Sequence, residues 1–586
     1  MFNKKFKFLS LALLVVFAVF VLAACGDDDT DGPATDTNVT TDTGGTDDTG
    51  DTGDLGPGWT GAMPDFGVGV PFRATETLDI SMIFRELPQN PFSDDWEMMR
   101  LLQEMTNVNL DIESVMHDDF AERRDLLLAT AQQPELMPFV WAGHEVPFIA
   151  GGQLLPIGQY FDYMPNFQHW VNEWDLGPVI ENLRRADDNI YILPGLLQDP
   201  RVRFTVALRY DILEQLDIYT ELEYGFPDSW EEIRLVLEEV YDRQAEFGLD
   251  YVYFDRWTLD STLNISASTF GTGAGWGLGS TLHYNHDTGE FRQFAQMDES
   301  YEFVSYWAGL VADGLLHPES LTAGCDPAVE AFVNGRSFMV GAGGAIIEYN
   351  NDVADLIAAG HDHLEDIRFL QLPIPQGPAG VTGEQVIDNG IILSSTIRER
   401  DDFHAILQFV DWVWFSEEGR EFSMWGVEGT HFEWVDGERQ LLAPFYDTRY
   451  GLSMDREGDA DARNMYYEGF GENVFVLAQG SSRDLMTSRM DEATRTLHEI
   501  NASTRVRNRL NPSVPWASLG DQRREQYAMM QQQIVDHTRN QIASFIAGHR
   551  DMSEWDDFLA ELEAMRLDDW VSAANEAYEI GPILPD

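Results

Sequence analysis

The chain has 586 residues, with 101 Asp and Glu against 37 Lys and Arg, so its formal net charge at pH 7 is −64. A surface this negative repels phosphate backbones, which excludes a protein that binds DNA or RNA. The length and a hydrophobic content of 44% suffice for two or more sizeable domains.

The N-terminus has the pattern of an export signal. Three lysines precede an apolar run over residues 8–22, which is shorter than the roughly 20 residues that a membrane span needs. The run closes on LAAC at 22–25, which resembles the lipobox of bacterial lipoproteins. This pattern predicts a signal peptide over 1–24 and lipidation of Cys25, the alternative being an ordinary signal peptide with a chance cysteine.

A segment rich in Asp, Thr and Gly follows over 25–74, and we interpret it as a disordered tether because it has little to bury. The lysines all lie in the signal region, so their removal takes the net charge from −64 to −67. Only Cys325 then remains beside the lipidated Cys25, and we expect no intrachain disulfide.

Strand and helix patterns alternate after the tether. Residues 78–84 and 110–115 read as buried strands, and 139–141 as the end of a third. Amphipathic helices are predicted between them, over 92–108 and 119–130. This alternation predicts an α/β fold with mainly parallel sheets covered by helices.

The segment 208–241 predicts two helices separated by a turn. Asp211 is expected to cap the first helix. Ser229 and Glu232 have the S-x-x-E spacing of a capping box that opens the second. Apolar residues then recur at helical spacing, which predicts a buried face.

Several phrases follow one another along the chain: DDFAERRDLLLATAQQPELMPFV at 118–140, NIYILP at 189–194, the segment 208–241, AGLVADGLLHPESL at 308–321, LPIPQGPAG at 372–380, FSEEGREFSMWGVEGTHFEWVDG at 415–437 and MSEWDDFLAELEAMRLDDWVSAANEAYE at 552–579. In this order they resemble bacterial extracellular solute-binding proteins (family 1), in the branch of large carbohydrate-binding lipoproteins of ABC importers. The resemblance implies a periplasmic-binding-protein-like fold over 75–586, with two lobes around a hinged cleft.

The resemblance also implies where the lobes divide. Lobe 1 is expected over about 75–198 plus 376–425, and lobe 2 over about 199–375 plus part of 426–586. Crossings between them are expected near 195–205, 371–380 and 425.

Catalytic and metal motifs are weak. The sequence has no G-x-S-x-G, H-E-x-x-H or Walker A pattern, and carboxylate pairs are expected by chance among so many acidic residues. His361-Asp362-His363 fits a solvated loop better than a metal site. The stretch 242–256 lacks the calcium-loop pattern of some relatives. We therefore expect no enzyme activity and no cofactor, and a structural calcium ion is doubtful.

Aromatic rings that stack on sugars are the candidate ligand contacts. Trp141 stands at a predicted strand end, and the resemblance implies a place in the cleft, with simple packing as the alternative. Weaker candidates are Trp276 in the Gly-rich stretch 271–280, which we interpret as a flexible loop, and Trp257, Trp425 and Arg85. The other tryptophans at helical core spacing are expected to be buried: Trp96, Trp307, Trp412 and Trp414.

These expectations favour a monomeric, lipid-anchored receptor on the outer face of the cytoplasmic membrane. It would bind a carbohydrate, most simply an oligosaccharide, and deliver it to an ABC permease. Two alternatives stay open: a surface enzyme that degrades glycans, and a sugar-binding protein that serves a sensor kinase.

Overall fold

A computed structural model describes residues 57–580, except for 88–89, 118, 186, 200–203, 279–280, 286–287, 343–345, 381–385, 449–451, 472–481, 491–494, 497–498, 500–513 and 515. The chain divides into 1–55 and 56–586, and the second unit is described here. The predicted signal peptide, Cys25 and the tether up to residue 56 lie outside the described residues. Within the described ranges, no helix is both long and apolar enough to cross a membrane.

The first part of the chain alternates strands and helices. Its elements are β1 (Leu78–Glu86), α1 (Glu97–Thr106), β2 (Val108–Met116), α2 (Phe120–Ala129), β3 (Leu136–Val140), α3 (Val146–Ile149), α4 (Pro165–Glu173), α5 (Gly177–Glu181) and β4 (Leu193–Leu196). The predicted strands and helices of this part are confirmed, with bounds that shift by up to five residues.

The middle part builds a second sheet. Its elements are β5 (Thr205–Arg209), α6 (Tyr210–Leu213), α7 (Trp230–Asp242), β6 (Tyr251–Tyr253), α8 (Asp260–Phe270), β7 (Leu282–Asn285), β8 (Glu290–Gln293), α9 (Asp298–Ala312), α10 (Asp326–Val333), β9 (Ser337–Ala342), α11 (Ile346–Ala358) and β10 (Phe369–Gln371).

The last part returns to the first sheet and ends in helices. Its elements are β11 (Ile387–Leu393), α12 (Phe403–Phe415), α13 (Glu417–Trp425), β12 (Phe432–Val435), β13 (Glu438–Leu441), β14 (Phe445–Tyr446), β15 (Arg463–Asn464), α14 (Arg483–Thr487), α15 (Asp521–Ile546), α16 (Trp555–Ala564) and α17 (Leu567–Ile580).

Two mixed sheets organise these elements. The first has the strand order β2–β1–β3–β11–β4, in which β1 is parallel to β2 and β3, and β11 is antiparallel to β3 and β4. The second has the order β10–β5–β9–β6, in which β6 and β9 are parallel and β5 is antiparallel to β9 and β10. The structure thus confirms the predicted α/β class with sheets flanked by helices.

Each sheet has its own hydrophobic core. The first core contains buried residues from Ala62 to Leu196 and again from Val386 to Leu485. The second contains residues from Val206 to Leu372 and again from Met530 to Trp570. The chain therefore stays with the first core well past residue 425, where the sequence placed a further crossing.

Burial agrees with the predicted core tryptophans, since Trp96, Trp307, Trp412 and Trp414 are all buried. One local prediction is wrong. Asp211 does not cap α6, because that helix already begins at Tyr210 and Arg209 occupies the cap position. The Asp211 carboxylate instead accepts hydrogen bonds from the Arg209 guanidinium, with Nε–Oδ1 at 2.8 Å and Nη2–Oδ2 at 2.5 Å.

Candidate ligand-binding site

The two sheets are joined at corresponding edges. Because β4 runs in the direction of β1, β2 and β3, these strands end at one edge of the first sheet. In the second sheet, β6, β9 and β10 end at the edge where β5 begins. The link 197–204 joins β4 to β5, and the link 372–386 joins β10 to β11, so both links connect the same two edges. Ligands of open α/β sheets bind outside these carboxyl ends.

Trp141 lies at the first edge, directly after β3, and the residue is 43% exposed. The loop that carries it is fixed by Glu145, which is fully buried. The Glu145 carboxylate accepts a 2.7 Å hydrogen bond from the Gly143 backbone N–H and a 2.8 Å bond from Arg185 Nε. A half-exposed indole on a fixed loop is suited to stacking against a sugar ring.

Arg85 lies at the same edge, one residue before the end of β1. It is half-buried, and its guanidinium carbon lies 4.1 Å from the centre of the Phe139 ring. Phe139 belongs to β3, two residues before Trp141, and has a left-handed backbone with a φ of 58°. The cationic head of Arg85 thus packs on the strand that leads to Trp141.

At the second edge, Phe204, Trp257 and Trp276 form what we call the aromatic cluster. The ring centres of Phe204 and Trp276 are 5.0 Å apart, those of Trp257 and Trp276 are 5.7 Å apart, and those of Phe204 and Trp257 are 5.9 Å apart. Trp276 is 44% exposed. The structure therefore brings together two of the predicted site residues, Trp257 and Trp276, and adds Phe204 from the first link.

Asp255 anchors the turn that carries Trp257. Its buried carboxylate accepts hydrogen bonds from the Tyr253 hydroxyl and Thr262 Oγ1, each at 2.6 Å, and from the backbone N–H groups of Arg256 and Gly341, each at 2.8 Å. Burial, and then the Asp255 charge, raise the pKa of Tyr253 well above its ordinary value, so its hydroxyl stays protonated and donates. These bonds tie the ends of β6 and β9 to α8.

The turn itself has an unusual backbone. Trp257, Thr258 and Leu259 have φ values of 52°, 55° and 67°, a left-handed conformation that such side chains rarely adopt. The backbone N–H groups of Trp257 and Thr258 donate to the carbonyls of Gly324 and Ala323 at 3.2 and 2.8 Å. Each such residue costs roughly 1–3 kcal/mol, and strain of this kind clusters at ligand clamps and active sites.

Gly275 allows Trp276 to reach the cluster. A Cβ atom at this position would lie 2.1 Å from the Asp260 carbonyl oxygen, so only glycine lets the backbone approach the start of α8. Within the Gly-rich stretch 271–280, interpreted from the sequence as a flexible loop, Gly275–Leu278 form a 3₁₀ turn.

Trp425 does not fit the predicted binding role. Its side chain is 0% exposed and lies within the first core, with its ring centre 5.8 Å from that of Phe432 and its Nε1 donating to Ser488 Oγ at 3.0 Å. The helical face that carries it turns inward, so its ring offers no surface to a ligand.

Two buried amides stand where the second link meets the sheets. Gln371 ends β10, and Asn389 lies at a bulge of β11 against β4. Among the described residues, Gln371 Oε1 and Asn389 Oδ1 have no hydrogen-bond partner. Sugar recognition needs polar groups of this kind beside aromatic rings.

The candidate metal motif is exposed. His361, Asp362 and His363 lie in the turn after α11, with the two imidazole centres 5.9 Å apart. The part of the chain that the structure describes holds no group of three His, Cys, Asp or Glu side chains arranged around a possible metal ion.

Sequence reasoning missed Phe204, Asp255 and Arg256. A signal was present in YVYFDRW at 251–257, because a charged pair directly follows an aromatic strand, which is where ligand contacts of α/β sheets gather. Phe204 carried no such signal, since only the fold places it beside two tryptophans that are distant in sequence.

No protein-family model and no curated protein matches the chain. Solved structures do match. One is described as the alginate-binding protein AlgQ2 without calcium ion, at 15% identity and a TM-score of 0.61, covering 87% of this chain and 99% of that one. A second is a solute-binding protein associated with an HMO-binding ABC transporter of Bifidobacterium longum infantis, at 15% identity and a TM-score of 0.57, covering 86% and 99%.

A third is the ABC-transporter substrate-binding protein FusA of S. pneumoniae, an EF-hand mutant in complex with fructo-nystose. It is 18% identical, has a TM-score of 0.57, and covers 86% of this chain and 99% of that one. Identities this low show the fold. The chain therefore has the mixed α/β, periplasmic-binding-protein-like fold of these solute-binding proteins.

Proposed function

We propose that this chain is the solute receptor of an ABC importer and binds a carbohydrate between its two lobes. The observation that carries the proposal is the aromatic cluster, which presents a partly exposed indole at the carboxyl edge of the second sheet. Trp141 supplies a second indole at the carboxyl edge of the first sheet, to which both links lead.

The similar structures support a saccharide as the ligand. Those proteins are described as binding alginate, HMO and fructo-nystose, and each is matched over almost its whole length. They are solute-binding proteins and not enzymes, which favours a receptor over a glycan-degrading enzyme. An oligosaccharide long enough to contact both edges would use Trp141 and Trp276 together.

The two cores support a division into lobes. We assign lobe 1 to about 75–198 with the chain from 376 to about 485, and lobe 2 to about 199–375 with the C-terminal helices α15, α16 and α17. The links 197–204 and 372–386 then act as the hinge, and closure of the lobes over the ligand creates the form that docks on the permease.

The anchor belongs to the same proposal. Cleavage before Cys25 and its lipidation would place a monomeric receptor on the outer face of the cytoplasmic membrane, since the lipid chains replace a spanning helix. Mass spectrometry of the membrane fraction should then find a mature N-terminus at Cys25 with a diacylglyceryl adduct. An uncleaved signal, or an unmodified Cys25, would contradict the anchor.

A saccharide screen tests the binding function. We expect at least one oligosaccharide of a neutral and acidic panel to raise the melting temperature and to bind in calorimetry with a dissociation constant in the micromolar range or below. Chromatography after long incubation should return every glycan intact. Shortened glycans would favour the enzyme, and a panel without any binder would contradict the receptor.

A further inference from the structure

Arg256 is a buried cation whose hydrogen-bonding capacity is largely unused. The residue is 6% exposed, and its guanidinium carbon lies 3.9 Å from the centre of the Trp257 ring. Nη1 lies 3.6 Å from Cys325 Sγ, which is a weak acceptor. Nε and Nη2 are buried and have no hydrogen-bond partner among the described residues.

Other arginines of this chain show what the unused atoms can bind. In each of Arg209, Arg400 and Arg483, the Nε and Nη2 atoms donate hydrogen bonds to the two carboxylate oxygens of one aspartate, with N–O distances of 2.5 to 2.8 Å. This edge of the guanidinium is a fork that matches the two oxygens of a carboxylate. At Arg256 the same two nitrogens have no hydrogen-bond partner in the part of the chain that the structure describes.

The empty fork is not explained by a shortage of acids, because the chain has 101 Asp and Glu. The carboxylate of the adjacent Asp255 accepts hydrogen bonds from four donors. One of these is the backbone N–H of Arg256, and none is its guanidinium. Burying a guanidinium without a bonded carboxylate is costly. A position that keeps such a group is a candidate for a ligand that brings the carboxylate with it.

The surroundings place the fork at the proposed binding site. Arg256 follows β6 at the carboxyl edge of the second sheet and stacks on Trp257, a member of the aromatic cluster. We infer that the ligand is an acidic oligosaccharide, one of whose carboxylates pairs with Nε and Nη2 of Arg256 while a ring stacks on the cluster. This inference rests on the proposed function and adds the chemical class of the ligand.

Nε and Nη2 of Arg256 are buried in this structure. Neighbouring side chains therefore move apart when the carboxylate of the ligand enters. Cys325 reports on this entry because its thiol is half-buried beside Nη1. A bound acidic saccharide should slow alkylation of Cys325 by iodoacetamide at least several-fold. A control with Cys25→Ser and the signal removed leaves Cys325 as the single thiol.

The main test compares matched acidic and esterified probes by calorimetry. The probes are oligogalacturonates and oligomannuronates of two to four units, their methyl esters, a sulfated oligosaccharide and kestose as a neutral sugar. Wild-type protein should bind at least one acidic series tenfold or more tightly than its ester. Arg256→Gln should reduce this acid-to-ester affinity ratio to near one, because the variant binds the acidic probe more weakly.

A control variant separates the fork from general charge. Arg368→Gln removes a charge from the same lobe at an exposed position paired with Glu214, and it should keep the wild-type ratio. Preference for the sulfated probe over the carboxylates would overturn the assignment of a carboxylate. Tight binding of kestose with no preference for acids would overturn the inference and leave the receptor function intact. Failure of every probe, neutral and acidic, would count against the receptor function itself.

A second variant distinguishes a binding role from a structural one. Arg256→Met keeps the volume and removes the buried charge, so the ligand-free melting temperature should stay the same or rise. A melting temperature several degrees lower, with the acid-to-ester ratio unchanged, would mean that Arg256 serves only to pack against Trp257.

Discussion

Trp141 and Trp425 have the same type of side chain in opposite environments, and their removal should have opposite effects. Trp141 is 43% exposed, whereas Trp425 is 0% exposed. Trp141→Ala should weaken saccharide binding by about 1–3 kcal/mol and leave the melting temperature almost unchanged, since no sealed cavity forms. Trp425→Ala should lower the free energy of unfolding by about 3–5 kcal/mol through the cavity that it leaves.

Calorimetry with the best saccharide and melting without ligand measure both effects. An unaffected affinity together with a large loss of stability in Trp141→Ala would show that this indole belongs to the core. The reverse result for Trp425→Ala would show that its ring reaches the ligand in another conformation.

Asp411 should make stability depend on pH. Its buried carboxylate accepts hydrogen bonds from the backbone N–H groups of Asn166 and Phe167 at 2.9 and 2.8 Å. Burial is the largest influence and raises the pKa of Asp411 to about 7, although these bonds lower it. The folded chain therefore keeps this proton to a higher pH than the unfolded chain, whose Asp pKa is about 4.

The sign follows from proton linkage. Between pH 4 and 7 the folded state binds more protons at Asp411 than the unfolded state does. The stabilisation of the folded state by this proton is therefore complete below pH 4 and is lost as the pH rises to 7. Urea unfolding of wild type and Asp411→Asn at several pH values isolates this group. The stability of wild type relative to the variant should fall by about 1–4 kcal/mol across that window. A constant difference would contradict the raised pKa.

At the scale of elements, the start of α7 is hydrogen-bonded to the second link. Ser229 Oγ accepts the Glu232 N–H at 3.2 Å, as the capping box predicts, but the Glu232 carboxylate accepts the N–H of Asp228 and not that of Ser229. The N–H of Trp230 donates to the Gln376 carbonyl at 3.0 Å. The helix start is therefore capped by its own residues and bonded to the link as well.

Ser229→Ala should lower the free energy of unfolding by about 1 kcal/mol, because the Glu232 N–H loses its acceptor. Ser305→Ala is a matched control within α9, since the Ser305 hydroxyl has no partner in the described part of the chain. That control should change the stability little. Equal effects of the two variants in urea unfolding would show that the cap contributes nothing.

At the scale of the whole molecule, two links between two cores predict a hinge. Residues 197–204 and 372–386 connect the sheets at the same edges, and closure about them would bring Trp141 toward the aromatic cluster. Small-angle scattering should show a smaller radius of gyration at saturating saccharide than without it. A saccharide that fails in the screen serves as the control. An unchanged radius with a bound ligand would contradict closure and leave binding in place.

The sequence by itself determined the α/β class, because strand and helix periodicities are local and survive in the structure as β1, α1, β2, α2 and β3. It also placed Trp141 after a strand, since the end of an apolar run is readable from neighbouring residues. The buried tryptophans at helical spacing were predictable for the same reason.

The tertiary structure decided which aromatic rings meet, and it leaves Nε and Nη2 of Arg256 without a hydrogen-bond partner among the described residues. Phe204, Trp257 and Trp276 are far apart in the chain and touch only because the first link, the turn after β6 and the turn after α8 converge. The buried state of Trp425 depends on packing by residues that follow it. Arg209 pairs with Asp211, only two residues further along the chain, whereas the Asp255 carboxylate beside Arg256 accepts hydrogen bonds from Thr262 and Gly341. The fold brings these donors to Asp255, and sequence spacing carries no information on such long-range contacts.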